Sequence, residues 1–305
     1  MHESKNGTPD ATSWNPYIAL VAAQVFFGSL PVIGKVVLKT TPAVALVGFR
    51  VALTALILAI IQSYRGRFWL QHPGDYAKLA LLSLFGITFN QFLFIIGLSL
   101  TKASNVSLLA VTIPIFALTV GSIAGFAKLK GVKIIGIILA AFGVVLIIDP
   151  RNAAFSSEST LGDLLIILNS LSYGIYVATS KAVIMRNGVF RSMMWVFLFA
   201  SLICVPLGGY SLAQVGPSSI DISIWLLMVY IAVIATAAPY LFNAYALSHV
   251  DPSTVAVFVY LQPLIGFLMA VYFLGEKVDY VFGIAAGLIF AGVYLVTRKF
   301  VPAET

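Results

Sequence analysis

Ten stretches of about 20 mostly apolar residues follow one another with little between them, at roughly 16–38, 43–62, 77–100, 103–124, 131–149, 162–185, 192–211, 224–247, 252–274 and 279–298. Each is long enough to span the hydrocarbon core of a bilayer. Inside lipid every backbone N–H and C=O must be satisfied internally, so runs of this kind fold as helices. The expected fold is therefore an all-α integral membrane protein with ten transmembrane helices. The loops are too short for a soluble domain, and only 10% of the 305 residues are charged, against about 25% in a typical soluble domain.

Residues 239–297 repeat residues 90–148 at an offset of 149. Pro114 falls on Pro263, Gly143 on Gly292, Lys128 on Lys277, and Leu98-Ser99 on Leu247-Ser248. The break between the third and fourth spans at Lys102 is matched by Asp251-Pro252. The first two spans of each half match at 146, Gly28 on Gly174 and Lys35 on Lys181, so a length change lies in the second or third span or its loop. The expected division is a tail at 1–15, a five-helix unit at 16–149, a linker at 150–161, a second five-helix unit at 162–298 and a tail at 299–305. Because five is odd, the two units are expected to be inverted repeats, the plan of many alternating-access carriers.

Lysines and arginines orient the chain, since cytoplasmic loops are enriched in them. With the N-terminus inside, Lys5, Arg65, Arg67, Lys78, Lys128, Lys130, Lys133, Lys181, Arg186, Arg191, Arg298 and Lys299 are cytoplasmic. Lys39, Lys102, Arg151 and Lys277 lie outside, and Lys35 and Arg50 lie within spans. Both termini are thus expected in the cytoplasm, with the chain in the cell (inner or plasma) membrane. Met1 to Asn15 shows no cleavable signal pattern, so the first span is expected to serve as an uncleaved signal. The net charge of +7 is spread over short loops rather than gathered into a stripe with interleaved aromatics, which argues against a nucleic-acid partner. Cys204 is the single cysteine and reads as packing, so neither a disulfide framework nor a thiolate metal site is expected. No cofactor is implied. The expected partners are membrane lipid and a small-molecule substrate, with the oligomeric state left open.

The chain resembles the EamA-like families of the drug/metabolite transporter superfamily over residues 16–298. The resemblance is carried by Phe27-Gly28 with Lys35 in the first helix, Arg50 in the second, Pro114 in the fourth, and Pro263 followed by Leu274-Gly275-Glu276-Lys277. In such families the Gly-Glu turn often occurs in both halves. Here the first copy reads Phe126-Ala127-Lys128, so Ala127 stands opposite Glu276 and a coupling role for Glu276 is weakened. The resemblance implies two inverted five-helix units and export or exchange of small metabolites such as amino acids.

Polar side chains are costly in a bilayer, so those sharing a helix face are directed at a cavity or another helix. Asn169, Tyr173, Tyr176 and Ser180 share one face of the sixth span, and Thr236, Tyr240 and Asn243 one face of the eighth. Gln24, Gly28, Pro31 and Lys35 do so in the first. Asn90 and Gln91, and Tyr260 and Gln262 beside Pro263, add to the set, with Gln91 and Tyr240 at equivalent places on opposite walls. The two readings are a substrate cavity and simple interhelical hydrogen bonding. Arg50, seven residues into its span, either binds a substrate carboxylate or ties helices together through carbonyls. Lys35 and Lys181 read as end anchors, with gating as the alternative. Pro31, Pro114 and Pro263 are candidate hinges, because proline removes a backbone hydrogen bond. The spacings Gly121/Gly125 and Gly283/Gly287 suggest close helix seams.

No Asp or Glu falls inside a proposed span, with Asp149, Asp163 and Asp279 at ends and Glu276 in a turn. Facilitated transport or exchange, or coupling through an acid at a helix end, is therefore expected in preference to proton coupling through an embedded carboxylate. The function expected is a secondary transporter, a permease or exporter for a small metabolite such as an amino acid or an aromatic or heterocyclic solute. A non-transporting receptor or scaffold is the alternative. An intramembrane enzyme is disfavoured, since there are no paired carboxylates, His2, His72 and His249 lie in loops or the tail, and no Ser or Cys has a nearby base.

Overall fold

A computed structural model of the chain describes residues 15–101, 106, 109–110, 112–125, 130–148, 157–265 and 280–297. They form α1 (Pro16–Val37), α2 (Ala43–Arg65), α3 (Pro73–Leu100), α4 (Thr112–Ile123), α5 (Gly131–Ile148), α6 (Ser157–Asn187), α7 (Val189–Val215), α8 (Ile222–His249), α9 (Pro252–Ile265) and α10 (Tyr280–Thr297). No strand occurs among the described residues. Helices α1, α2, α3, α6, α7 and α8 are long and apolar enough to cross a membrane, and the described apolar stretches of the other four are shorter. Lys102, Lys128, Arg151, Asp149, Gly275, Glu276, Lys277, Asp279, Arg298 and Lys299, both tails and most of the 150–161 linker lie outside the described residues.

Local chemistry sets the helix ends. Asn15 caps α1, its side chain accepting from Tyr17 N at 3.0 Å, and Pro16 supplies the first turn, where no donor is needed. Asp221 caps α8 in the same way through Ser223 N at 2.7 Å. Gly188, at φ 82°, reverses the chain between α6 and α7 without a connecting loop. Helices α6 and α7 run past their expected limits on amphipathic turns that hydropathy alone does not count.

Two helix pairs cross at van der Waals distance through glycine. A Cβ added to Gly48 in α2 would lie 2.5 Å from Gly208 Cα and 2.7 Å from the Cys204 carbonyl oxygen in α7. In α5 and α10, Gly136 abuts the Gly292 carbonyl and Gly143 the Ala285 carbonyl, so residue numbers rise in one helix as they fall in the other. These helices run antiparallel, and both contacts join positions exchanged by the offset of 149. Gly28 of α1 faces Ile265 of α9 just as Gly174 of α6 faces Phe116 of α4, through offsets of 146 and 149. Helix starts place the length change: 43 and 189 differ by 146, whereas 73 and 222 differ by 149, so the extra residues follow the α7 start and lengthen α7 at its far end.

Both α3 and α8 contain a π-helical turn, Leu84–Phe89 and Val233–Ala237, beginning at positions 149 apart. One sequence expectation is corrected. Among the described residues, a Cβ at Gly283 or Gly287 would meet nothing within 4 Å, and Gly125 is a left-handed residue past the end of α4; the close seams are Gly48/Gly208, Gly97/Gly162 and Gly136/Gly292. The buried carboxylates lie near helix ends. Asp163 lies seven residues into α6, buried, and accepts from Thr101 Oγ1 at 2.6 Å. Asp75, in the first turn of α3, is buried against Arg186 and Asn187 of α6.

Gly48→Ala is expected to destabilise by about 1–3 kcal/mol, because backbone rather than a flexible side chain must give way. A fall in thermal midpoint that Gly209→Ala does not share would show it, since a Cβ at Gly209 meets nothing within 4 Å. Equal midpoints for the two variants would mean the crossing yields freely.

Candidate functional site

The site is built around the two π turns. A π turn shifts the backbone ladder by one residue and leaves carbonyls free to accept from elsewhere. In α8, Ala235 O receives Arg50 Nη2 at 3.5 Å and Ala232 O receives Thr54 Oγ1 at 3.0 Å, both from α2. Arg50 is 0% exposed. Its Nε donates to Thr236 Oγ1 at 2.9 Å, while that hydroxyl donates onward to Ile231 O at 2.7 Å. Its Nη1 has no hydrogen-bond partner, and no carboxylate bonds to Arg50 among the described residues. A buried guanidinium with an unpartnered donor on a cavity wall is an arrangement that an anionic group would satisfy.

In α3 the equivalent carbonyl, Gly86 O, accepts from the Tyr240 hydroxyl at 2.9 Å. Asn90 Oδ1 lies 2.8 Å from that hydroxyl as a competing acceptor, and Gln91 Nε2 donates to it at 3.2 Å. Gln91 and Tyr240 therefore touch, rather than facing one another across a gap. Around this pair Asn169 Nδ2 donates to Asn90 O at 2.7 Å, Gln262 Nε2 to Gln24 Oε1 at 2.7 Å, and Asn243 Nδ2 to the Tyr173 hydroxyl at 2.9 Å. Gln24 Nε2 and Asn243 Oδ1 remain buried without partners.

A cavity of about 70 Å³ opens beside this network. Its walls include seven of the eleven expected residues: Arg50, Asn90, Gln91, Asn169, Tyr173, Tyr240 and Gln262. The other four stand behind the wall. Gln24 and Asn243 hold wall residues through the bonds above, Tyr176 stacks on Tyr173 with centroids 6.0 Å apart, and Tyr260 is buried in α9. The remaining wall is apolar and was not anticipated: Phe27, Leu30, Phe94, Val106, Ala110, Ile113, Ile166 and Val259. Four of these residues sit one helical turn from a residue that was, Phe27 from Gln24, Phe94 from Asn90, Ile166 from Asn169 and Val259 from Gln262. Extending each polar stripe by a turn reaches these four and leaves Leu30, Val106, Ala110 and Ile113.

The cavity extends toward one end of the bundle only. Leu30, Phe94, Val106 and Ile166 lie toward the end where α1 and α3 finish and α6 begins. Their counterparts in the other repeat, Tyr176, Asn243, Val255 and Leu20, are buried and do not line it. Of the candidate hinges, Pro31 lies within an unbroken α1. Pro263 follows a 3-10 turn, Phe258–Tyr260, since its ring cannot pack under the Val259 carbonyl. Pro114 follows an equivalent loosening, where Ile113 N bonds Ala110 O at 3.1 Å. Ala110 and Val259, related by 149, both line the cavity.

The EamA-like transporter family matches residues 14–149 and again residues 160–298. A relative from Archaeoglobus fulgidus, named an uncharacterized transporter, is 28% identical over 226 residues, covering 74% of this chain and 77% of its own. The threonine/homoserine exporter RhtA of Escherichia coli is 24% identical over 292 residues, covering 94% and 93%. A solved crystal structure superposes with a TM-score of 0.76 at 17% identity, over 92% of this chain and 96% of that one. The chain belongs to the EamA-like transporter family. It is a multi-pass membrane transporter, not an enzyme.

Proposed function

We propose that the protein is a secondary transporter, an exporter or exchanger, for a small carboxylate-bearing metabolite of amino-acid type, working by alternating access between two inverted five-helix repeats. The observation that carries the substrate class is the free Nη1 of Arg50 on the cavity wall. Arg50 receives the carboxylate. The amides of Asn90, Gln91, Asn169 and Gln262 and the Tyr173 and Tyr240 hydroxyls are positioned for the ammonium and polar side chain. A cavity of about 70 Å³ is far below the 300 Å³ or so at which drug-sized pockets begin, which favours a solute of few heavy atoms. The exporter relative for threonine and homoserine supports the same class.

Ten spans and an inverted arrangement are supported by the antiparallel α5/α10 crossing at repeat-related positions, by the paired π turns, and by the double family match. With both termini cytoplasmic in the cell membrane, as the charge count argues, the cavity faces outward. The units 16–149 and 162–298 rock about the site, and the loosened helices at Pro114 and Pro263 take up the bend, so the outer walls close while Tyr176, Asn243, Val255 and Leu20 part. The second reading, an aromatic or heterocyclic solute, is favoured by Phe27 and Phe94 on the wall.

Counterflow in proteoliposomes preloaded with unlabelled solute decides between them. Neutral amino acids are expected to drive accumulation of labelled threonine, and their carboxamides are not. Exchange of nucleosides or aromatic amines with no response to amino acids would replace the carboxylate reading with the aromatic one.

A further inference from the structure

A second cleft, which shares no lining residue with the cavity described above, opens at the end of the bundle where α2, α6 and α8 finish. It encloses about 610 Å³, and its cationic lining is Arg65, Arg67 and Arg191, with His249 beside them and no carboxylate among the described lining residues. The cations are held in place. Arg65 stacks over the Phe190 ring at 4.5 Å, and Gln62 Nε2 fixes the loop bearing Arg67 by donating to Gly66 O at 2.8 Å and Arg67 O at 3.3 Å. Arg67 itself is left-handed at φ 49°, the one non-glycine residue so described, a conformation that the rest of the loop has to hold. Arg191 Nη1 donates to Trp69 O at 3.3 Å, which leaves its buried Nε without a partner.

An apolar groove of about 210 Å³ continues from this cleft between α1, α7 and α8. The two share Val189, Phe190 and Tyr245, and beyond these the groove is walled by Ala19, Leu241 and Phe242. Leu241, Phe242, Tyr245 and His249 lie on a face of α8 other than the one carrying Tyr240 and Asn243, so the groove belongs to the flank of the bundle rather than to the transport path.

We propose that this cleft and groove bind one anionic phospholipid, its phosphodiester among the arginines and an acyl chain along the groove. The fold does not require cations here, because the repeat-related positions at the opposite end are neutral. Arg65 corresponds to Ser211, Arg191 to Ala45 and His249 to Leu100. The cationic end is also the one assigned to the cytoplasm, where anionic lipid headgroups attract basic side chains.

The test is native mass spectrometry of the purified protein with phosphatidylglycerol or phosphatidylcholine of identical chains, joined by thermal unfolding with each lipid and with glycerol 3-phosphate. One phosphatidylglycerol should be retained in preference to phosphatidylcholine and should raise the midpoint. Arg67→Gln with Arg191→Gln should weaken that binding about 30-fold, and Leu241→Gln should weaken the lipid while leaving the headgroup analogue unaffected. Equal retention of the two lipids by the wild-type protein overturns the proposal without recourse to any variant. So does stabilisation by glycerol 3-phosphate as large as by the lipid, which would mark a free-anion site. Neither readout involves transport, so the result stands apart from the substrate assignment.

Discussion

Arg50→Met is expected to abolish carboxylate-dependent counterflow while leaving the protein as stable as the wild type, or more so. Removing one member of a buried hydrogen-bonded charge pair costs about 2–5 kcal/mol of binding, equivalent to 30-fold or more in affinity. The stability sign separates the two roles of this residue. An arginine that served only to tie α2 to α8 would lose its bonds to Thr236 Oγ1 and Ala235 O, and the empty protein would melt earlier. An arginine kept buried and half-unpaired for a ligand burdens the empty protein, and apolar replacement of buried charge is often neutral or stabilising. Arg50→Lys should retain part of the activity, because charge survives while the planar fork does not. Measurement needs proteoliposome counterflow beside thermal unfolding without substrate. A variant that exchanges threonine at the wild-type rate would remove Arg50 from the substrate site.

The sequence located much of this, and the rest escaped for identifiable physical reasons. Apolar runs set the helix positions because lipid imposes a single backbone solution on them, and polar residues at helical spacing exposed one face of α1, α6 and α8. Phe27, Phe94 and Ile166 escaped because an apolar residue on a cavity wall has the same composition signature as one facing lipid. The glycine seams escaped for the opposite reason. Gly283 and Gly287 have the spacing of a contact motif without a neighbour to meet, whereas Gly48 and Gly208 meet across 160 residues with no local mark. No residue type announces a π turn, yet both turns supply the carbonyls that hold Arg50 and Tyr240. Asp75 lay just outside the expected third span, where a carboxylate reads as loop, and α3 begins early enough to bury it.

Gly28→Ala should stop transport by holding the protein in the conformation described here, while Gly174→Ala, its repeat-related counterpart, should drive it out. A Cβ at Gly174 would lie 2.9 Å from Phe116 Cβ and 3.0 Å from Ala117 N, whereas one at Gly28 meets nothing nearer than Ile265 Cγ2 at 3.7 Å. Under the proposed exchange of the two repeats between states, Gly28 takes the tight environment and Gly174 the loose one. A methyl group at Gly28 therefore burdens only the opposite state, by about 1–3 kcal/mol of overpacking, and one at Gly174 burdens only this one. A bias of that size moves a two-state equilibrium about 5- to 150-fold and slows any cycle that must visit both. Single cysteines report the populations: Ala110→Cys lines the open cavity, and Val255→Cys, 1% exposed, lies on the packed side. Native Cys204 is buried and contributes little background. Gly28→Ala should raise labelling at 110, suppress it at 255 and leave the thermal midpoint unchanged, while Gly174→Ala should do the reverse and lower the midpoint. If both variants label and melt alike, the two contacts are static packing and the repeats do not trade places.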